Sequence, residues 1–333
     1  REPKKALQEA REIIASCIGA MPNEIYFTSG GTESDNWVIK AASNTNGIKS
    51  RIVTSAFEHH AVLHSCVALE RENHRVSYVL PSAEGEVLPG TLKAQLDSEV
   101  ALVSVMMVNN EVGTIQPIEE LCELAHAKGA LFHTDAVQAV GHMDINVRDL
   151  NIDYLSASAH KFNGMKGCGF LFMKNGCELT AYADGGSQEK GYRAGTENVA
   201  GIIAMAAALK NNCDHLKENR RHILQLEDAL LSKLTGTGIA YTRNGGKNTL
   251  PGIISLSFPH ADGEAILHRM DLMGVCISTG SACNSQDTEV SHVLKAIGLD
   301  EDLAKGTIRI SLGKYNTMDD IDKIVRGLQK ILG

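Results

Sequence analysis

The sequence predicts an α/β protein in which a large doubly wound sheet domain precedes a smaller α/β domain. Short apolar runs alternate with helical patterns from residue 25 to about residue 173, as they do where crossover helices join the strands of one sheet. A long helical stretch follows at 199–233 and contains the polar segment 217–222. Strand and helix patterns then resume and continue to the end of the chain. We place the domain junction within the long helical stretch.

The strands expected in the first domain, which we place at residues 1–215, are short apolar runs that end in polar or turn-forming residues. They are expected at residues 25–27, 51–54, 101–108, 131–136 and 152–155. Helices alternate with them and are expected at residues 6–14, 33–41 and 117–128. The last helix is the clearest, because Pro117 suits a first helical turn and Gly129 suits the residue after a helix.

The second domain, which we place at residues 216–333, is predicted from the same two patterns. Strands are expected at residues 253–258, 275–278 and 307–311. Helices are expected at residues 264–270, 290–297 and 321–332. A chain of this length has enough residues for two domains with substantial cores.

A lysine follows the strand predicted at 152–155, in the stretch Ser-Ala-Ser-Ala-His-Lys at 156–161. Phe162, Asn163 and Gly164 then break the strand pattern. A lysine at a strand end, next to hydroxyls and a histidine, suits a Schiff base with an aldehyde cofactor, because burial and neighbouring charges lower the pKa of an amine. The alternative interpretation is a surface lysine in a polar turn.

Another predicted strand ends in Asp135 and is followed by Gln138. Pyridoxal 5'-phosphate (PLP) is an electron-accepting cofactor whose ring nitrogen must stay protonated, and an aspartate held against that nitrogen keeps it so. Gln138 offers a hydrogen bond to the ring oxygen. An aspartate at a strand end is otherwise most often a cap or turn residue.

The phosphate of such a cofactor needs a cradle, and Thr-Ser-Gly-Gly-Thr-Glu-Ser at 28–34 offers one. Glycines let the backbone approach an anion, and the helix that begins here presents N–H groups and a favourable dipole. No Gly-Lys-Ser/Thr follows, so this is not a Walker motif. Ser158 and His160, beside the lysine, can add donors. A simple glycine turn is the alternative.

Two further polar groups follow predicted strands. His59, in Glu-His-His at 58–60, could stack on a planar cofactor and exchange protons with it, or belong to a surface histidine pair at a helix start. Asn109 follows the strand at 101–108. Open α/β sheets bind ligands at the carboxyl ends of their strands. One crevice is therefore expected to collect residues 32, 59, 109, 135 and 161.

In order and spacing, these motifs resemble those of the NifS-like cysteine desulfurases. The resemblance covers nearly the whole chain and includes Arg-Ala-Gly-Thr-Glu-Asn at 193–198, Gly-Ser-Ala-Cys at 280–283 and Arg-Ile-Ser-Leu-Gly at 309–313. It implies a fold-type-I PLP enzyme of the class-V aminotransferase family, with a large mixed sheet. The implied activity removes sulfur from L-cysteine and leaves L-alanine and an enzyme-bound persulfide.

The resemblance also implies a role for each matching residue. Lys161 would hold PLP as a Schiff base and move the α-proton of the substrate. Asp135 would pair with the ring nitrogen, Gln138 with the ring oxygen, and His59 would stack on the ring. The phosphate would be bound by Gly31, Thr32, Ser158, His160 and, from the other subunit of a homodimer, Thr196.

Three residues would handle the substrate and its sulfur. Asn109 and Arg309 would bind the carboxylate of L-cysteine, the arginine through a bidentate contact. Cys283 would receive the sulfur, and His59 would accept the proton of the thiol. The sulfur would then pass to a transient partner, either an iron–sulfur scaffold or a thiolation protein.

Cys283 also differs from the other cysteines by its own surroundings. The chain has eight cysteines, and no two show the Cys-x-x-Cys spacing of a metal site or a redox pair. Most lie in apolar patterns, as Cys17, Cys66 and Cys122 do, and are expected to be small buried residues. Cys283 lies in a loop of small polar residues at 278–286, where an accessible nucleophile is expected.

Composition argues against several other classes of protein. The net charge is −8 and no basic stripe is present, which argues against a nucleic-acid partner. No apolar stretch approaches the length of a membrane span, and no signal or transit peptide is visible. Many cysteines without evident pairing indicate a reducing compartment, so we expect a cytoplasmic protein.

The chain departs from the family pattern at its start. Family members usually begin with an apolar Tyr-Leu-Asp-Asn-Ala-Ala-Thr-Thr-type strand, whereas this chain begins without methionine, at a helix. We expect that opening strand to border the active site. A second departure is Tyr192, where a basic residue often precedes Arg193.

Two other functions use the same cofactor residues. A fold-type-I aminotransferase or a selenocysteine lyase would need Lys161 and Asp135 but would not depend on Cys283. A non-enzymatic PLP-binding scaffold would be yellow and would not turn over L-cysteine.

Overall fold

The computed structural model describes residues 2–42, 50–280 and 290–333. The chain divides into two compact units. Unit 1 contains residues 1–79, 87–108 and 116–216, and unit 2 contains residues 80–86, 109–115 and 217–333. Two short segments from the first half of the chain therefore belong to the unit that its second half forms.

Unit 1 is built on one seven-stranded mixed sheet. Its strands are β1 (Ile25–Thr28), β2 (Arg51–Ser55), β3 (Val76–Val79), β4 (Val100–Ser104), β5 (Leu131–Asp135), β6 (Tyr154–Ser158) and β7 (Gly169–Met173). They lie in the order β1-β7-β6-β5-β4-β2-β3. The five neighbouring strands β6, β5, β4, β2 and β3 are parallel to one another, whereas β7 is antiparallel to both β6 and β1. The predicted mixed α/β fold is confirmed.

Helices cover this sheet. They are α1 (Glu2–Cys17), α2 (Gly31–Ala42), α3 (His60–Arg71), α4 (Pro89–Lys93), α5 (Ile118–His126) and α6 (Val199–Asp214). α2 packs on β6 and β7, and α5 packs on β4 and β5. Every residue of β4, β6 and β7 is buried, as in sheets that are covered on both faces. Pro117 stands immediately before α5, and Gly129 follows it with a φ of +67°, as the sequence predicted.

Unit 2 combines a three-stranded antiparallel sheet with five helices in its described residues. The strands β8 (Thr242–Asn244), β9 (Ile253–Ser257) and β10 (Thr307–Ser311) lie in the order β10-β9-β8. The helices are α7 (Leu216–Gly236), α8 (Gly263–Asp271), α9 (His292–Ala296), α10 (Glu301–Lys305) and α11 (Met318–Leu332). Apolar side chains of α7, α8, α11 and the sheet form one core. None of the helices in the described ranges has the length and apolar character to span a bilayer.

Three strand predictions are wrong in extent. The strand expected at 152–155 is shifted, since β6 runs from Tyr154 to Ser158. The strand expected at 101–108 ends at Ser104, although the next four residues are apolar and buried. The amides of Val105 and Met107 still bond to carbonyls at the end of β5, but the chain then leaves the sheet and enters unit 2 at Asn109. The strand expected at 275–278 is reduced to one bridge, between Ser278 and Arg309.

Candidate active site

The predicted phosphate cradle lies between β1 and α2. Gly30 has a φ of +153° and lies against Ser158, since an added Cβ would come within 3.4 Å of the serine Oγ. A Cβ on Gly31 would come within 2.5 Å of a methyl group of Val137. α2 begins at Gly31, so Thr32 is in its first turn, where backbone N–H groups have no partner inside the helix. Glycine therefore allows a close approach that any side chain would prevent.

Lys161 lies on a turn held by hydrogen bonds on both sides. β6 ends at Ser158, and a short 3-10 helix follows at Ala159–Phe162. His142 Nε2 donates to the carbonyl of Lys161 at 2.8 Å, and the amide of Asn212 donates to the carbonyl of Phe162 at 2.8 Å. The expectation that Lys161 is buried is wrong, because the residue lies in the turn that follows the buried strand β6 and is exposed there.

Ser158 precedes this turn and His160 lies within it, and their side chains bond to each other with 3.0 Å between Oγ and Nδ1. Ser158 is buried, and His160 is exposed. Because Ser158 also faces Gly30, the structure brings the lysine turn and the glycine loop together.

Asp135 is the last residue of β5, the strand next to β6, and is buried. Its Oδ1 accepts a hydrogen bond from the amide of Val137 at 2.9 Å. Burial raises the pKa of the Asp135 carboxyl, while the Val137 amide and the charges of His59 and Lys161 act in the opposite direction. The structure thus brings Asp135, His59 and Lys161 close enough for their charges to interact. Gln138 lies three residues further on and is half-buried.

His59 caps the N-terminus of α3. Its Nδ1 accepts a hydrogen bond from the amide of Ala61 at 3.1 Å. An Nδ1 that accepts a hydrogen bond places the proton of the neutral ring on Nε2. Nε2 is therefore the ring atom that can donate, and the role of His59 as acceptor of the thiol proton stays a prediction.

His59 and Thr32 also share a cavity of about 330 Å³ between α2 and α3. Its other lining residues are polar or basic, except for one alanine: Asn36, Lys40, His60, Ala61, His64 and Ser65. The rings of His60 and His64 stack with their centroids 4.9 Å apart. The predicted ring-stacking histidine and the predicted phosphate threonine thus face one space.

A cluster of buried acids beside Asp135 was not predicted. Burial, followed by the charge of Asp135, raises the pKa of Asp35 well above its usual value. Burial raises the pKa of Glu58 to about 8, although Ser55 and the amide of Met106 donate to Glu58 at 2.5 and 2.8 Å. Burial thus disfavours the charged form of both acids that lie beside Asp135.

His133 of β5 completes this cluster as a neutral ring. Burial lowers the pKa of His133 to about 3. Its two nitrogens bond to the hydroxyls of Ser104 and Ser156 at 2.8 and 2.9 Å, and Nε2 lies 3.6 Å from Asp35. Two signals in the sequence could have indicated buried polar groups. Glu58 directly precedes the histidine pair, and Ser104 and Ser156 interrupt the apolar runs of β4 and β6.

The loop that carries Thr196 begins with an ion pair. Arg193 donates to both oxygens of Glu33 in α2, at 2.8 and 3.1 Å. Although burial acts to raise the pKa of Glu33, the arginine holds it below its usual value. Thr196 is exposed. Tyr192, which departs from the family pattern, packs edge-on against Tyr26, with ring centroids 5.7 Å apart.

Asn109 and Arg309 belong to unit 2 and lie near each other. The side-chain carbonyl of Asn109 accepts hydrogen bonds from the amides of Glu111 and Val112, at 2.9 and 3.0 Å. The other polar atom of this side chain, Nδ2, is a hydrogen-bond donor, which is the kind of group that a carboxylate accepts from. Arg309 donates to the carbonyl of Asn110 at 3.0 Å, and its buried Nε has no hydrogen-bond partner among the described residues.

Cys283 lies outside the described residues. Of the other cysteines, Cys66 and Cys122 are buried as predicted, whereas Cys17 at the end of α1 is half-buried because it lies on the last turn of the helix. Cys276 is exposed.

Known proteins that are similar to this chain belong to the family that its motifs resemble. The sequence profile of the family described as "Aminotransferase class-V" matches residues 1–324. The "Cysteine desulfurase IscS" of Methanosarcina thermophila is 42% identical over 330 residues, which cover 99% of this chain and 82% of that protein. The protein of the same name from Dictyoglomus turgidum is 45% identical over 334 residues, covering 100% of this chain and 85% of that protein.

Solved structures with a similar fold and sequence come from proteins with related descriptions. A structure described as "NIFS-LIKE PROTEIN" superposes with a TM-score of 0.93 at 37% identity and covers 99% of this chain and 88% of its own. Another, described as "SspA in complex with cysteine", has a TM-score of 0.83 at 36% identity and covers 95% of this chain and 89% of its own.

Proposed function

We propose, from the premise that this chain belongs to the aminotransferase class-V family, that it is a PLP-dependent cysteine desulfurase. It takes the sulfur of L-cysteine and leaves L-alanine and a persulfide on Cys283. Relatives named for this activity align over nearly the whole chain. The observation that carries the proposal is that the buried carboxylate of Asp135 ends β5, the lysine turn follows the adjacent strand β6, and the glycine loop before α2 lies against Ser158 of that strand.

The described residues fit the phosphate of PLP. Gly31 is packed so closely against Val137 that an added Cβ would come within 2.5 Å of it, and Gly30 has a φ of +153° that residues with a side chain rarely adopt. The N-terminus of α2, which begins at Gly31, suits an anion. Thr32 would add a hydroxyl from the first turn of α2. Donors of this kind, at a helix N-terminus, are what a phosphate requires.

They also fit the ring of PLP. One oxygen of Asp135 is engaged by Val137, and burial raises the pKa of this carboxyl. A positively charged ring nitrogen beside the other oxygen would offset that cost and keep the carboxyl ionised. His59 would lie against the ring with Nε2 as a donor, and Gln138 would reach the ring oxygen.

PLP, when bound, supplies a ring that withdraws electrons from the α-carbon of the substrate. Asp135 would hold the proton on the ring nitrogen that makes this withdrawal effective. Lys161 Nζ would remove the α-proton and return it. Arg309 would bind the substrate carboxylate through its Nε, which no described residue contacts as a hydrogen-bond partner, and Asn109 Nδ2 would be a second donor.

Cys283 would take the sulfur as its thiolate. Its Sγ would form a bond to the sulfur of L-cysteine while the carbon–sulfur bond breaks. The electron pair of the broken bond would stay with the carbon, which takes up a proton and becomes the methyl group of alanine. The protein would act as a homodimer in which Thr196 of each chain serves the partner, and an acceptor protein would collect the sulfur.

The proposal is tested by incubating the protein with PLP and L-cysteine and then alkylating the thiols for mass spectrometry. We expect one added sulfur atom on the peptide that contains Cys283 and an equal amount of L-alanine. Formation of a keto acid without a persulfide would contradict the proposal and favour an aminotransferase. A yellow protein that forms neither product would favour a binding scaffold.

Replacing Asp135 by Asn is expected to lower turnover of L-cysteine by about 10²–10³-fold, because the amide cannot hold the proton on the ring nitrogen by its charge. The measurement is sulfide release at saturating PLP. Asp144, an exposed acid beyond the same strand, provides the control Asp144→Asn, which should keep full activity. Wild-type turnover by Asp135→Asn would remove Asp135 from the proposed site.

A further inference from the structure

Glu111 is a buried acid of unit 2 that the proposed chemistry does not use. Only 5% of its surface is exposed. Its Oε2 accepts a hydrogen bond from the hydroxyl of Ser291 at 2.6 Å. The same oxygen lies against Gly280, since a Cβ added to that glycine would be 2.5 Å away from it. One carboxylate oxygen therefore contacts two residues that are far apart in the sequence of unit 2.

Gly280 and Ser291 lie on either side of Cys283 in the sequence. They lie against each other, because a Cβ on Gly280 would be 2.9 Å from the Cβ of Ser291. The contact with Glu111 is therefore made at the point where the two ends of this stretch of chain meet.

Each end is also fixed to the body of unit 2. On one side, Ser278 exchanges backbone hydrogen bonds with Arg309 of β10, at 3.0 and 2.6 Å, and the hydroxyl of Thr279 donates to Glu264 of α8 at 3.1 Å. On the other side, Ser291 caps α9 by accepting a hydrogen bond from the amide of Val293 at 3.1 Å. Glu111 is the residue that joins the two sides.

The chemistry of Glu111 suits a fixed link. Burial raises the pKa of Glu111 to about 7, while the Ser291 hydroxyl and the charge of Arg309 act in the opposite direction. Its amide is itself held by the side chain of Asn109 at 2.9 Å. Breaking the short hydrogen bond of a buried carboxyl costs free energy, because water cannot replace the partner.

We propose that Glu111 is a positioning residue for sulfur transfer: its carboxylate holds Gly280 and Ser291 together, and breaking that link slows the step in which Cys283 takes the sulfur. This inference rests on the proposed function, since it concerns the step in which Cys283 takes the sulfur. It adds a residue that touches neither the reacting atoms nor the cofactor. Removal of the α-proton does not involve Cys283 and is independent of this link.

Replacing Glu111 by Ala is expected to slow persulfide formation on Cys283 by about 10- to 100-fold, the effect of misplacing a reacting group by about 1 Å. Exchange of the α-hydrogen of L-cysteine with deuterium, followed by NMR, should stay within about twofold of wild type, because it tests only PLP and Lys161. Glu111→Gln keeps the shape and an acceptor for Ser291, so it should recover most of the rate.

The experiment measures persulfide formation in a single turnover by mass spectrometry, with Glu218→Ala as the control because Glu218 is an exposed acid of the same unit. A second readout needs no substrate: the alkylation rate of Cys283 relative to the exposed Cys276, which should change in Glu111→Ala and not in Glu111→Gln. Ser291→Ala removes the same hydrogen bond from the other side and should slow persulfide formation in the same way, which provides a test even if Glu111→Ala does not fold.

Wild-type persulfide rates and alkylation ratios in both Glu111→Ala and Ser291→Ala would overturn the inference. So would an equal loss of hydrogen exchange and persulfide formation, which would assign Glu111 to substrate binding through Asn109 and Arg309. A rate for Glu111→Gln as low as that for Glu111→Ala would overturn the hydrogen-bond account. By contrast, a wild-type protein that forms no persulfide would refute the proposed function and leave the alkylation ratio as the test of the link.

Discussion

Replacing Cys283 by Ser is expected to reduce persulfide formation and sulfide release by on the order of 10⁴-fold or more. A serine hydroxyl is far less acidic than a thiol, and its oxygen cannot form the sulfur–sulfur bond of a persulfide. The bound cofactor should keep its absorbance, because the residues that fit PLP belong to unit 1. The measurement combines the visible spectrum, sulfide release and mass spectrometry of the thiols.

Cys276→Ser is the matched control, because Cys276 is an exposed cysteine of the same unit. It should keep wild-type rates. If Cys283→Ser still releases sulfide at the wild-type rate, Cys283 is not the acceptor. A persulfide found on Cys276 in that variant would identify the other thiol.

Replacing Lys161 by Ala is expected to lower turnover of L-cysteine by about 10⁴-fold or more, because in the proposed function this one side chain would both hold the cofactor and move the α-proton. Exchange of the α-hydrogen into deuterated water should fall with turnover, in contrast to its behaviour in Cys283→Ser. Small primary amines added to Lys161→Ala should restore part of the exchange, since they supply the missing base.

Lys166→Ala is the control for this prediction, because Lys166 is an exposed lysine only five positions further along the chain. Reduction of the wild-type protein with borohydride should leave a pyridoxyl group on the peptide that contains Lys161. A pyridoxyl group on another lysine, with normal turnover by Lys161→Ala, would refute the assignment.

Much of unit 1 follows from local signals in the sequence. The runs at 25–27, 51–54 and 131–136 form β1, β2 and β5, because apolar residues bounded by polar turns specify strands over a few positions. The run at 101–108 was misjudged because apolar character reports burial, and residues 105–108 are buried without remaining in a strand. Periodicity cannot separate these two cases.

The site could be predicted only in part, for a related reason. Asp135 and Lys161 are visible as polar residues at strand ends. The raised pKa values of Asp35 and Glu58 arise from burial, which depends on distant packing. The link from Glu111 to Ser291 spans 180 positions, and no local pattern indicates it.

The two early segments of unit 2 have a consequence for synthesis of the protein on the ribosome. Asn110 and its partner Arg309 are 199 positions apart, so at about 5–20 residues per second the earlier residue waits about 10–40 s for the later one to be translated. By that time the nascent chain already contains every strand of the seven-stranded sheet. Unit 2, which we propose binds the substrate carboxylate, is therefore the last to assemble, and a chain released early could hold the cofactor without being able to recognise an amino acid.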